Sequence, residues 1–256
     1  MKRIAITLMA VLLLCVSALA QEKKADAAKP ADKAPAALPS ADELLEKYVK
    51  ALGGKEALEK ITSRMSKGTF DLPAMGASGT TEMYTKSPNK TATIIEIGGF
   101  GKIENVYDGT KAWSANPMQG LTEVTGAQLA SFKRQANLQS VLNLKTYYSK
   151  FEVKGKDKVG DAEVYVVEAT PLEGKVEKMY FDVNSGLLVR TDAEVDGPQG
   201  AMLVESYLED YRVVDGVKVP FTMRQNNPAY SLTIKQTEVK HNVTIEDAKF
   251  NKPSGN

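Results

Sequence analysis

The side chains best suited by type to acid–base chemistry are Glu205, Glu209 and Asp215, grouped in "MLVESYLEDYRVVDGVKVPFTMRQ", Met202 to Gln225. Two carboxylates can act as general acid and base if they converge on one reacting group. The sole histidine, His241 in "VKHNV", would have to serve any metal site or Ser-His-Asp triad, and the only cysteine is Cys15 near the N-terminus. One histidine is too little to anchor zinc, and no G-x-S-x-G elbow supports a triad. "GGFGKIEN", Gly98 to Asn105, lacks the G-K-[ST] ending of a phosphate loop and reads as a turn between strands. Catalytic residues, metal ligands and cofactors are therefore not expected, and His241, flanked by Lys240 and Asn242, reads as a surface residue.

Whether the carboxylates converge depends on the element that carries them. Asp215-Gly216 between Val214 and Val217 is a strong hairpin signal. Pairing the arms across it sets Val214 opposite Val217, Arg212 opposite Val219 and Leu208 opposite Met223. One face then gathers Met202, Val204, Leu208, Val214, Val217, Val219, Phe221 and Met223. The other gathers Glu205, Tyr207, Glu209, Tyr211, Lys218, Thr222 and Arg224. A helix would not tolerate Pro220. The carboxylates thus fall on a solvated sheet face or in the turn.

A second hairpin, "KMYFDVNSGLLVRTDAE", agrees. Around Asn184-Ser185-Gly186 it places Met179, Phe181, Val183, Leu187, Val189 and Ala193 on one face. Lys178 then faces Asp192, and Tyr180 faces Arg190, on the other. This is the alternation of an antiparallel sheet wet on one side. Asp210 and Arg212 fall on the otherwise apolar face, as a mutual pair, a bulge, or a polar anchor at the mouth of a cavity. Methionine is frequent there, which suits either a variable acyl chain or an ordinary core.

The remaining elements fit around this sheet. "SADELLEKYVKALGGKEALEKI" reads as two short helices, with Ser40 and Glu43 forming a capping box and Gly53-Gly54 a stop. From Ser63 the apolar period is two, broken by a helix at about Gly126 to Ser140. Ten or eleven short strands are expected. The fold class is mainly β (α+β), an open or incomplete antiparallel barrel with covering helices.

The N-terminus, "MKRIAITLMAVLLLCVSALAQ", has the charged, apolar and A-x-A parts of a secretory signal peptide, in a short bacterial form. Its apolar stretch of about 13 residues is too short to span a bilayer. Cleavage is expected after Ala20, giving an exported, periplasmic protein without cysteine. Residues 21–39, rich in Ala, Lys and Pro, read as a disordered linker, and residues 40–256 as one domain. Loss of Lys2 and Arg3 lowers the 33 basic side chains to 31 against 32 acidic ones, a balance with no call for nucleic acid.

"NVYDGTKAWSA" (Asn105 to Ala115), "YFDVNSGLLVR" (Tyr180 to Arg190) and "YLEDYRVVDGVKVPF" (Tyr207 to Phe221) resemble the periplasmic outer-membrane lipoprotein-sorting proteins, the LolA/LolB-like superfamily. "LLEKYVKALGGKEALEKI" is similar to the N-terminal helices of its relatives. The resemblance spans about Ser40 to Phe250. It implies an open antiparallel barrel whose apolar concave side is covered by helices, and a non-enzymatic carrier of lipid or lipoprotein acyl chains. Without a lipobox the soluble carrier is the nearer type, with Arg64 and Arg212 as candidates by face for its functional arginine. The ligand-binding residues expected are Met179, Phe181, Val189, Met202, Leu208, Arg212, Phe221 and Met223. Acyl chains and envelope membrane proteins are the expected partners of a monomer. The alternative is an envelope scaffold or protein-interaction module whose barrel is filled by its own side chains.

Overall fold

The computed structural model describes residues 37–197 and 200–254, so the expected leader and most of the linker lie outside the described residues. Ser40 caps helix α1 (Ala41–Leu52) as its sequence implies. The Glu43 backbone N–H donates to Ser40 Oγ at 3.2 Å and the Ser40 N–H donates to Glu43 Oε2 at 2.7 Å. Gly53, at φ 130°, ends it before the short helix α2 (Lys55–Glu59).

Strands β1 (Ser63–Leu72), β2 (Ala77–Lys86), β3 (Lys90–Ile97), β4 (Gly101–Tyr107), β5 (Ala112–Asn116) and β6 (Gly120–Val124) follow in a meander. Helix α3 (Gly126–Ala136) and a 3-10 segment (Ser140–Thr146) lead to β7 (Tyr148–Val159). A second meander comprises β8 (Ala162–Pro171), β9 (Glu177–Asp182), β10 (Leu188–Gly197), β11 (Gly200–Val214), β12 (Val217–Asn226) and β13 (Ser231–His241). β13 pairs antiparallel with β1 and joins the meanders into one thirteen-stranded sheet with β6 and β7 as its two edges. The sheet is antiparallel and does not close into a barrel. Thirteen strands replace the ten or eleven expected. The five-residue β6 is too short to carry a period-two signal.

The register around Asp215-Gly216 is the expected one: Val214 pairs with Val217, Arg212 with Val219 and Leu208 with Met223. Asp215 and Gly216 both take positive φ, 49° and 81°, as a right-twisted two-residue hairpin requires. Two faces need correction. The pairing of β9 with β10 shifts between Leu188 and Arg190, so Leu188, and not Val189, stands opposite Phe181. Tyr211 belongs with the core under the helices instead of the polar face, and its hydroxyl donates to Leu188 O at 2.7 Å. The preceding residue, Asp210, adopts φ 53°, which interrupts the strict alternation of side chains.

On the face away from α1, the carboxylates are satisfied structurally. Arg190 Nε donates to Asp192 Oδ1 at 2.6 Å and its guanidinium also pairs with Glu205. Tyr180 donates to Asp192 Oδ2 at 2.6 Å, and Arg224 pairs with Glu209 at 2.9 Å. The C-terminal residues Ile245 and Phe250 pack over Ala92, Val106 and Trp113.

Candidate binding site

Helices cover only part of the sheet. Leu52 and Leu58 close over Val217, Val219, Phe221 and Val239, while Leu44 and Tyr48 close over Met179, Phe181 and Val167. Phe132 and Leu129 of α3 pack against Tyr107, Ala112 and Val124. These covered residues lie toward the end of the sheet where β1 begins and β13 ends.

Toward the other end, on the same face, cross-strand partners form a continuous apolar row. Leu208 pairs with Met223, Met223 with Ile234, and Ile234 with Phe70. Phe70 pairs with Gly79, and Gly79 with Ile97. Cross-strand partners share a face, so six strands contribute to one strip. Val219 and Phe221, on the same face of β12 as Met223, tie that face to the helix-covered core. Phe70 is buried, its ring lying over Gly79, where a Cβ would come within 2.8 Å of Phe70 Cε1. Leu208, Met223, Ile234 and Ile97 are only partly buried and belong to none of the clusters closed by the helices. Met202, opposite Val195, extends the strip along β11.

The expected ligand-binding residues therefore divide. Met179, Phe181 and Phe221 are buried under α1 and α2. Met202, Leu208 and Met223 lie in the uncovered strip. Val189 sits at the irregularity of β10, and Arg212 is exposed. Arg212 chelates Asp210 through Nε and Nη2, at 3.1 and 2.6 Å, and its guanidinium lies 4.5 Å from the Phe221 ring. Asp210 and Arg212 are thus a mutual pair.

His241 is a correction. It is buried, because alternation turns it inward while its neighbours Lys240 and Asn242 face solvent. Arg64 Nε donates to His241 Nε2 at 2.9 Å, which makes the imidazole an acceptor and therefore neutral. Burial, reinforced by the Arg64 charge, pushes the His241 pKa down to about 4. Arg64 lies beside Tyr48 of α1, and burial also lowers its own pKa. Among the described residues no carboxylate pairs with Arg64. Burial raises the Tyr48 hydroxyl to about 12. The partly buried guanidinium is thus held by a neutral acceptor and not by an anion, an arrangement that loss of solvent makes costly.

A separate cleft of about 970 Å³ lies within the helical layer, lined by Leu45 and Val49 of α1 and by Val141, Leu142 and Leu144 of the 3-10 segment. It is the seam between the two covering pieces. Hairpin reasoning missed Ile234, Phe70 and Ile97, since the β1–β13 pairing joins segments about 170 residues apart. The alternation of "YSLTIKQTEV" and "NKTATIIEI" was the available signal.

No family model and no curated sequence matches the chain. Solved structures do. A DUF1329 family protein from Desulfovibrio piger aligns with a TM-score of 0.58 over 82% of this chain and 96% of its own, at 14% identity. A LolA superfamily protein from Nitrosomonas europaea gives 0.52 over 84% and 99%, also at 14% identity. The fold is that of the LolA/LolB-like superfamily. A domain from Vibrio parahaemolyticus named for outer membrane lipoprotein sorting gives 0.51 over 81% and 97%, at 14% identity. At such identities the LolA/LolB-like likeness is one of fold.

Proposed function

We propose that this protein is a non-enzymatic carrier that takes an acyl chain of a lipid or lipoprotein onto the uncovered apolar strip, acting in the periplasm after removal of its leader. The observation that carries the reading is the strip itself. Leu208, Met223 and Ile234 are aligned across strands, apolar and left partly open by the helices. The A-x-A leader and the LolA/LolB-like fold support the compartment and the class of cargo. Burying about ten methylenes at ~0.8 kcal/mol each contributes ~8 kcal/mol before ordering costs, which corresponds to roughly micromolar affinity. Arg64 lies six residues from Phe70 on the same strand and face, about 20 Å at ~3.3 Å per residue. It would neutralise an anionic head group at the far end of a long extended chain.

The second reading, a scaffold filled by its own side chains, is favoured by the sealed packing of Met179, Phe181 and Phe221 under α1 and α2. A fluorescent fatty acid separates the two. Saturable binding is expected in the wild type and should be lost in Leu208→Lys and Met223→Glu, because an unpaired charge in the strip is expensive to desolvate. Folded wild-type protein that takes up no fatty acid would establish the scaffold instead.

A further inference from the structure

The helix-bearing face changes character from one meander to the other. In the second meander its open part is apolar, through Leu208 and Met223. In the first meander a further row crosses the strands beside the apolar one. Ser66 pairs with Met83, Met83 with Thr93, Thr93 with Asn105, and Asn105 with Ser114. Ser66 and Phe70, four residues apart on β1, share a face, so this row and the apolar strip do too. Along β3, Ile97 and Ile95 lead from the strip to Thr93. Tyr107 and Ala112, the neighbouring cross-strand pair on that face, lie under α3, so the row borders the helical cover. Apart from Met83 it is polar.

These polar side chains differ from those on the opposite face. There Tyr180, Arg190, Asp192 and Glu205 satisfy one another. In the row, the hydroxyls of Ser66, Thr93 and Ser114 and the amide of Asn105 make no hydrogen bond to any described residue. Ser66 is only 8% exposed, and Thr93, Asn105 and Ser114 are partly buried. Gln236 pairs with Gly68, two residues from Ser66, and its Oε1 is buried without a partner. Sheltered groups of this kind favour a partner that can both donate and accept.

We propose that this row is a head-group site for an uncharged, hydroxyl-bearing moiety, glycerol or a sugar, on the amphiphile whose chain lies along the apolar strip. The placement of the chain rests on the carrier reading, and that of the head rests on the row. Ser, Thr and Asn each donate and accept, as a hydroxyl does, so the two sets are complementary. The row itself carries no charge. From β1 to β5 it spans about 19 Å, at ~4.8 Å between strands, so several hydroxyls can be met at once. Arg64, two residues from Ser66 on the same strand and face, would hold an acidic group. The row adds discrimination among heads of equal charge, because a site that hydrogen-bonds a hydroxyl rejects the analogue lacking it.

Displacement of a fluorescent fatty acid by neutral competitors of one chain length tests the proposal. Monopalmitoylglycerol or hexadecyl glucoside should displace it at roughly tenfold lower concentration than methyl palmitate, which has no donor. The tighter of the two identifies the head as glycerol or sugar. In the double variant Thr93→Val, Asn105→Leu this preference should vanish, while the melting temperature and the binding of the fluorescent fatty acid are kept. Ser114→Ala, which cannot overpack, should lose part of the preference. Equal displacement by the ester and both hydroxylated compounds overturns the proposal, as does a preference that survives in the double variant. Fatty acid bound without any such preference removes the head-group site and leaves the carrier reading standing. A folded wild type that binds no fatty acid removes both.

Discussion

Phe181 and Met223 face the same side of one sheet, yet their surroundings differ. Phe181 is 1% exposed and packs edge-on against Tyr48 of α1, with ring centroids 5.4 Å apart. Met223 is partly open, with no helix above it. Their strands carry the same alternation of apolar and polar residues. What separates a packed core from an accessible strip is therefore the cover, supplied by segments far away in sequence. The distinction has energetic content, because a side chain truncated in a sealed region leaves a cavity and one truncated at an open surface does not.

Truncation gives the largest expected effect. Phe181→Ala should destabilise the protein by about 3–5 kcal/mol, while Met223→Ala, whose neighbours already meet solvent, should cost only about 1 kcal/mol. Urea denaturation of the two variants measures this. Equal losses would erase the distinction between covered and open halves and return Met223 to the core.

The next effect is pH dependence, and it belongs to the covered half. His241 is neutral in the native state, with its pKa depressed by burial and by Arg64 to about 4, against 6.5 in the unfolded chain. Between these values the unfolded state binds the extra proton. Stability is therefore constant above about pH 6.5 and falls as pH drops toward 4, by up to about 3 kcal/mol. His241→Gln should flatten this window. Glu43, Glu82 and Asp182 have pKa values held below the ordinary carboxylate range, so their contribution is lost only at lower pH. A wild-type profile that is flat from pH 6.5 to 4 would show that His241 does not titrate under the helices as this geometry requires.

Local chemistry was legible in the sequence and long-range cover was not. The Ser40 capping box, the Asp215-Gly216 hairpin and the facing of Tyr180 with Arg190 rest on residues close in sequence, and each appears as read. His241 was misread because exposed neighbours say nothing about the residue between them in a strand. Its burial requires β13 to pair with β1, a contact that no turn residue encodes. The division of the apolar face required knowing where α1 and α3 lie. Tyr211 changed sides because one aspartate adopts a left-handed conformation, a preference that Asp carries only weakly.

That aspartate sets the smallest and sharpest test. Asp210 could be present for its charge, since it pairs with Arg212, or for its tolerance of φ 53°. Both partners are exposed, by 43% and 58%, so solvent screens the pair and Arg212→Ala should leave the melting temperature nearly unchanged. Conformation should matter more. A β-carbon in the left-handed region costs about 1–2 kcal/mol that glycine avoids, and aspartate offsets part of that cost through local hydrogen bonding. Asp210→Gly is therefore expected to be nearly neutral, and Asp210→Ala to destabilise by about 1 kcal/mol. Thermal denaturation resolves such a difference. If glycine and alanine cost the same, the charge is what matters, and the turning of Tyr211 into the covered half needs another cause than the backbone at Asp210.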